Sequence, residues 1–89
     1  MPHRQVDPDG AIRKTLEYLG DEVRLARLER GLSQAALAEW SGISQSTVSR
    51  FERGLTPGTG LITLGRLLQA LGCRAILRPN DVEVRRRGW

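Results

Sequence analysis

Residues 33–54 read Ser-Gln-Ala-Ala-Leu-Ala-Glu-Trp-Ser-Gly-Ile-Ser-Gln-Ser-Thr-Val-Ser-Arg-Phe-Glu-Arg-Gly, and this stretch decides the fold. Ser33 and Ser44 are typical helix N-caps, because a serine oxygen can accept a hydrogen bond from a free N–H of the first turn. They predict two short helices, 34–40 and 45–53. Gly42 predicts a tight turn between these helices, since glycine tolerates a chain reversal at little steric cost. Two capped helices joined by such a turn form a helix-turn-helix arrangement.

The second of these helices separates apolar from polar residues. Val48 and Phe51, three residues apart, are predicted to face the core together with Ile43. The opposite face then carries short or fork-shaped polar side chains, the types that reach base edges in a DNA major groove. These are Gln45, Ser46, Ser49 and Arg50. Two alternatives stay open: the face is merely solvated, or Arg50 pairs with an acidic residue such as Glu29.

Helical patterns also flank this stretch. Apolar residues recur at three- and four-residue steps between Ala11 and Arg30, and Gly31 is a natural C-terminal stop. Gly20 with Asp21 could divide this segment into two helices. After a loop over 55–60, a row of leucines predicts a further helix that ends at Gly72. It comprises Leu61, Leu64, Leu67, Leu68 and Leu71.

The last residues have a different character. The stretch 74–79 is short and apolar at Ile76 and Leu77, which favours a β-strand. Residues 82–85 alternate with period two, so they form either a second strand or part of a basic tail that continues through 85–89. The first ten residues contain two prolines and no apolar period, which indicates a flexible lead-in.

Composition restricts the function classes. A chain of 89 residues allows one domain. Its net charge is +4, and arginine supplies nearly all of the positive charge, which favours nucleic acid or another anionic partner. Cys73 and His3 are the only cysteine and histidine, so metal clusters and most histidine-based catalysis are not expected. We therefore expect neither an enzyme nor a cofactor. Without a signal peptide or membrane span in the sequence, the expected location is the cytoplasm.

Residues 27–54 resemble the lambda-repressor-like, or XRE, family of helix-turn-helix proteins. The resemblance rests on Gly31-Leu-Ser-Gln34, Leu37-Ala38, Gly42-Ile-Ser44 and Glu52-Arg-Gly54, and it extends over roughly 19–71. It implies binding of double-stranded DNA, with base reading by Gln45, Ser46, Ser49 and Arg50. It also implies a structural ion pair between Arg27 and Glu52.

A second set of residues is expected to contact phosphate. Gln34 matches a family position that touches phosphate and steadies the first glutamine of the recognition helix, here Gln45. The N-terminus of that helix adds further donors. The expected phosphate-binding set is Gln34, Ser44, Thr47, Arg53 and Thr56.

The stretch 68–79 is similar to HipB-like antitoxins, in which a strand after the last helix pairs with its twin in a homodimer. This implies a dimer strand formed by Arg74, Ala75, Ile76, Leu77 and Arg78, a palindromic operator and a HipA-like kinase toxin as partner. The expected fold is mainly α, a four- to five-helix lambda-repressor-like helix-turn-helix domain with a short C-terminal β-strand for dimerisation. Its parts are a flexible segment 1–10, a helical domain 11–72, a dimerisation strand 73–79 and a basic tail 80–89.

The leading hypothesis is thus a repressor that controls its own gene and acts as an antitoxin. A regulator without a toxin is the first alternative. A protein-interaction module that does not bind DNA is the alternative from another class.

Overall fold

The computed structural model describes residues 10–55, 60–79 and 81–86. Four helices are followed by two strands: α1 (Ala11–Glu29), α2 (Gln34–Ser41), α3 (Gln45–Glu52), α4 (Leu61–Ala70), β1 (Cys73–Arg78) and β2 (Asp81–Arg86). The mainly helical, lambda-repressor-like fold expected from the sequence is confirmed. None of the described helices is long and apolar enough to cross a membrane.

The first helix is continuous through Gly20, so the possible division into two helices does not occur. Gly20 is buried where α1 crosses α3. A Cβ at this position would lie 2.4 Å from the carbonyl oxygen of Phe51 and 2.9 Å from that of Glu52. The glycine therefore permits a close approach of the two helices.

The caps and the turn of the central motif are confirmed. The Oγ of Ser33 accepts a hydrogen bond from the Ala36 amide at 3.0 Å, and the Oγ of Ser44 accepts one from the Thr47 amide at 3.2 Å. Gly42 adopts a left-handed conformation with φ of +73°. Residues within 33–54 thus set both ends of α2 and of α3.

The core lies among all four helices and reaches the hairpin. α1 buries Leu19, Val23 and Ala26 of its apolar stripe, while Leu16 is half-buried. α3 buries Val48 and Phe51. The remaining core residues come from the other elements: Leu37, Leu67, Leu68, Leu71, Cys73 and Val84. Since Cys73 and Val84 are core residues, the hairpin is part of the domain and not an appendage.

Residues 81–86 form a strand, which is the strand alternative for 82–85 and not the basic tail. Residues 80 and 87–89 of the expected tail lie outside the described residues. β2 pairs antiparallel with β1, with Ala75 opposite Val84. The physical reason lies on α1. The Tyr18 hydroxyl accepts a hydrogen bond from the Val84 amide at 3.1 Å, and the Arg86 guanidinium lies 2.7 Å from Glu22. These partners are too distant in sequence for a local pattern to reveal them.

The isolated strand expected at 73–79 is therefore one half of a hairpin. One edge of β1 is paired within the chain, and in the described two-stranded sheet its other edge carries no strand. Because β2 satisfies the backbone groups along one edge of β1, the strand does not depend on a twin for this pairing. Only the outer edge remains open to pairing.

Candidate nucleic-acid interface

The outward face of α3 presents the four side chains that the sequence singled out. Gln45, Ser46 and Arg50 are exposed and Ser49 is half-buried. They share a face because residues one helical turn apart are neighbours on a helix surface. Val48, on the opposite face, is completely buried. Packing on one side of α3 thus fixes the direction in which the polar side points.

Arg50 has no acidic partner within the described chain. Glu29, the alternative partner considered for it, pairs with Arg86 at 3.1 Å. Arg53, three residues further along, places its Nε 3.5 Å from the carbonyl oxygen of Ser49 and is also exposed. The α3 region therefore offers two exposed guanidinium groups to an external partner.

The N-terminus of α3 is ordered by hydroxyl groups. Ser44 accepts the Thr47 amide and donates its own proton to the Thr47 Oγ1 at 2.9 Å, and the Ser44 and Ser46 hydroxyls lie 3.4 Å apart. The first amides of a helix have no partner inside it, and the helix dipole makes this end positive. The arrangement suits an anion, provided that other contacts hold the anion in place.

Below this face, a buried ion pair joins α1 to α3. The Arg27 Nε donates a hydrogen bond to the Glu52 Oε2 at 2.6 Å, and the Arg27 Nη2 donates one to the Glu52 Oε1 at 2.9 Å. The remaining terminal nitrogen of Arg27 donates to the Leu32 carbonyl at 2.9 Å. The hydrogen bond with Glu52 raises the pKa of Arg27, so its charge is secure. The ion pair implied by the resemblance is present.

Gln34 completes this cluster in a way that the sequence did not reveal. Its Nε2 donates to the Glu52 Oε1 at 3.1 Å. No hydrogen bond between Gln34 and Gln45 is present among the described residues. The bond to Glu52 uses one of the two N–H groups of the Gln34 amide.

The other expected site residues fall in two places. Thr56 lies outside the described residues. The dimer-strand set lies on β1, with Ala75 and Ile76 half-buried and Arg74, Leu77 and Arg78 exposed. Arg78 is engaged within the hairpin, at 2.7 Å from Glu83.

An apolar groove runs between α4 and β1. It has a volume of about 400 Å³ and is lined by residues that include Leu61, Leu64, Gly65 and Leu77. Leu77 is 70% exposed and Leu61 is 67% exposed, although both are large and apolar. Gly65 lies within α4, and a Cβ there would meet nothing within 4 Å. Within the described residues, no group of three potential metal ligands occurs.

The sequence did not reveal that Arg66 lies beside the helix-turn-helix motif. A guanidinium nitrogen of Arg66, on α4, lies 4.0 Å from the position that a Cβ on Gly42 would occupy. No local signal places a residue of α4 beside the turn between α2 and α3.

Comparisons with known proteins agree with this geometry. A helix-turn-helix family model matches residues 23–76. The HTH-type transcriptional regulator RamB of Mycobacterium tuberculosis is 37% identical over 68 residues, which are 76% of this chain and 14% of RamB. The chain thus spans a small part of that relative. The crystal structure of the restriction-modification controller protein C.AhdI from Aeromonas hydrophila superposes with a TM-score of 0.59 at 38% identity, covering 63% of this chain and 83% of that chain. The chain belongs to the XRE-like family of helix-turn-helix proteins.

Proposed function

We propose that this chain is a sequence-specific transcriptional regulator that binds double-stranded DNA through α3. The observation that carries the proposal is the face of α3. Its polar side chains point outward from a helix whose other side is fixed in the core, and Gln45 and Arg50 have no partner among the described residues. RamB is named as a transcriptional regulator and C.AhdI as a controller protein, which supports the same reading.

The base-reading roles follow from side-chain chemistry. An arginine fork matches the O6 and N7 acceptors of guanine, and a glutamine amide matches the N6 and N7 of adenine. We assign these roles to Arg50 and Gln45. The hydroxyls of Ser46 and Ser49 accept or donate, so they suit several bases and add less discrimination.

The phosphate contacts are assigned to the groups at the borders of α3 and α2. Ser44 and Thr47 order the N-terminus of α3, where free amides face an incoming anion. Arg53 supplies a charge near the other end of the helix. Gln34 stands at the first position of α2. Thr56 stays a proposal from the sequence alone.

We propose that the regulator acts as a homodimer on a palindromic operator. Two recognition helices related by a two-fold axis enter successive major grooves roughly 34 Å apart. The open edge of β1 and the groove beside it support a second copy of the chain as the occupant. Pairing of the two β1 edges would cover Leu77, and such a self-complementary contact closes on itself.

A regulator without a toxin is better supported than an antitoxin. The lone strand that suggested a HipB-like protein is a hairpin, and neither RamB nor C.AhdI is named as an antitoxin. The antitoxin role stays a second candidate only because β1 occupies the expected stretch. Binding of a HipA-like kinase to the purified chain would be required to support it.

The test of DNA reading is a comparison of two arginines. A duplex site is selected from a random library by the wild-type chain, and its affinity is compared with that of shuffled DNA. Arg50→Ala is expected to weaken binding to the selected site by about 1–3 kcal/mol and to relax specificity at one position. Arg24→Ala removes an exposed charge from α1 and serves as the control. Equal discrimination by wild type and Arg50→Ala would refute the assignment.

A further inference from the structure

We propose that Glu52 is a positioning residue, which holds the Gln34 amide in the orientation that binds a DNA phosphate. The inference rests on the proposed function and extends it from residues that touch DNA to a buried residue that does not. Glu52 is 5% exposed, so direct contact with DNA is not available to it.

The hydrogen bond with Glu52 fixes the orientation of the Gln34 amide. Gln34 is half-buried, and its Nε2 donates one hydrogen to the Glu52 Oε1 at 3.1 Å. Since the acceptor is a carboxylate, the nitrogen and not the oxygen of the amide must face it. A planar amide then directs its second N–H away from Glu52. That second N–H has no partner among the described residues.

Arg27 holds the Glu52 carboxylate in place. Both of its oxygens receive hydrogen bonds from Arg27, at 2.6 and 2.9 Å, and Arg27 is tied to the Leu32 carbonyl beside the start of α2. The carboxylate therefore cannot rotate to follow the amide. The amide has to follow the carboxylate, and its side-chain rotation is restricted before DNA arrives.

Arg27 also compensates the negative charge of Glu52. An unpaired carboxylate next to the α2 N-terminus would repel a phosphate. Arg27 neutralises it, because the two side chains form a bidentate pair with 10% and 2% of their surface exposed. The cluster thus presents a neutral, oriented donor at the end of a helix. Restricting a donor in its bound orientation improves binding by reducing the entropy lost on association.

The experiment is a double-mutant cycle on DNA binding. The probe is the duplex selected by the wild-type chain, and binding is followed over a series of salt concentrations. Gln34→Ala is measured in the wild-type chain and in the Arg27→Met/Glu52→Leu chain, which replaces the ion pair with apolar groups of similar size. Glu39→Gln, which removes an exposed carboxylate from α2, is the control.

In the wild-type chain, we expect Gln34→Ala to weaken binding by about 5- to 10-fold, as for one lost hydrogen bond. The slope of log K against log salt should stay nearly unchanged, because the amide is neutral and displaces no counterion. In the Arg27→Met/Glu52→Leu chain the amide is no longer held in its binding orientation, so its phosphate contact contributes less and Gln34→Ala should weaken binding by less than about twofold.

A second measurement does not depend on DNA. The side-chain amide protons of Gln34 are observed by NMR in the free protein, where Glu52→Asp retracts the acceptor by one methylene and keeps the charge. We expect slow exchange of one amide proton in the wild-type chain and fast exchange in Glu52→Asp. Glu52→Asp also tests the positioning role if the Arg27→Met/Glu52→Leu chain fails to fold.

The outcomes separate the two claims. Equal losses from Gln34→Ala in both backgrounds, or no loss in the wild-type chain, overturn the positioning role while DNA binding stands. Rapid exchange of both amide protons in the wild-type chain overturns it as well. A wild-type chain that selects no DNA sequence overturns the proposed function, and the positioning role falls with it.

Discussion

Removal of the Glu52 carboxylate tests how the helix-turn-helix is held together. Glu52→Leu would leave the Arg27 guanidinium buried without its bidentate partner, after losing contacts of 2.6 and 2.9 Å. Loss of one member of a buried pair costs about 3–5 kcal/mol. A chain of 89 residues has a total stability of only about 4–13 kcal/mol at the usual range per residue. The substitution therefore removes a large fraction of the stability.

The melting temperature should fall by roughly 12–40 °C, given about 4–8 °C per kcal/mol for a domain of this size. The matched double substitution, Arg27→Met/Glu52→Leu, should recover most of the loss, because apolar replacement of a buried pair is often neutral or stabilising. Glu83 forms exposed ion pairs with Arg78 and Arg85 in the hairpin. Glu83→Gln should therefore leave the melting temperature nearly unchanged. Denaturant titrations followed by circular dichroism provide the free energies. A loss of under about 1 kcal/mol for Glu52→Leu, or no recovery in the double variant, would refute the reasoning.

Three further predictions concern small residues. Gly20→Ala places a Cβ 2.4 Å from the Phe51 carbonyl oxygen, so α1 and α3 must separate. The free energy of unfolding, measured by urea titration, should fall by about 1–3 kcal/mol. In Gly65→Ala the added Cβ meets nothing within 4 Å, so this substitution should raise the free energy of unfolding by about 0.5–1 kcal/mol. If a second copy covers the groove, sedimentation of the same variant should show a weaker dimer. Burial raises the pKa of the Cys73 thiol, so any stability that this group contributes is present below its ordinary pKa and is lost as pH rises through the raised value. Alkylation of native Cys73 should accordingly be much slower than alkylation of the unfolded chain; equal rates would show that the thiol is accessible.

The helical part of the fold was predictable because its signals are local. Ser33 and Ser44 cap the helices that follow them, and Gly42 allows the turn, all within a few residues of the structure they specify. The polar face of α3 was predictable for the same reason. Helical periodicity assigns one side to the core and leaves the other to a partner.

The hairpin was harder to predict because its partners are remote. Val84 and Arg86 bind groups on α1 that lie 66 and 64 residues earlier in the chain. The neighbouring arginines made the same stretch resemble a basic tail. The contact of Gln34 with Glu52 spans 18 residues and depends on how α2 crosses α3, which no spacing in the sequence specifies.

The central claim, that α3 reads a DNA sequence, is tested most directly by fluorescence anisotropy of the wild-type chain. A labelled duplex carrying the selected site is compared with a shuffled duplex of the same composition at salt concentrations up to about 150 mM. We expect affinities for the selected site at least about 1,000-fold above those for shuffled DNA, a ratio typical of specific regulators. Equal affinities that fall together steeply with salt would mean that only phosphate is contacted, and they would contradict base reading by α3.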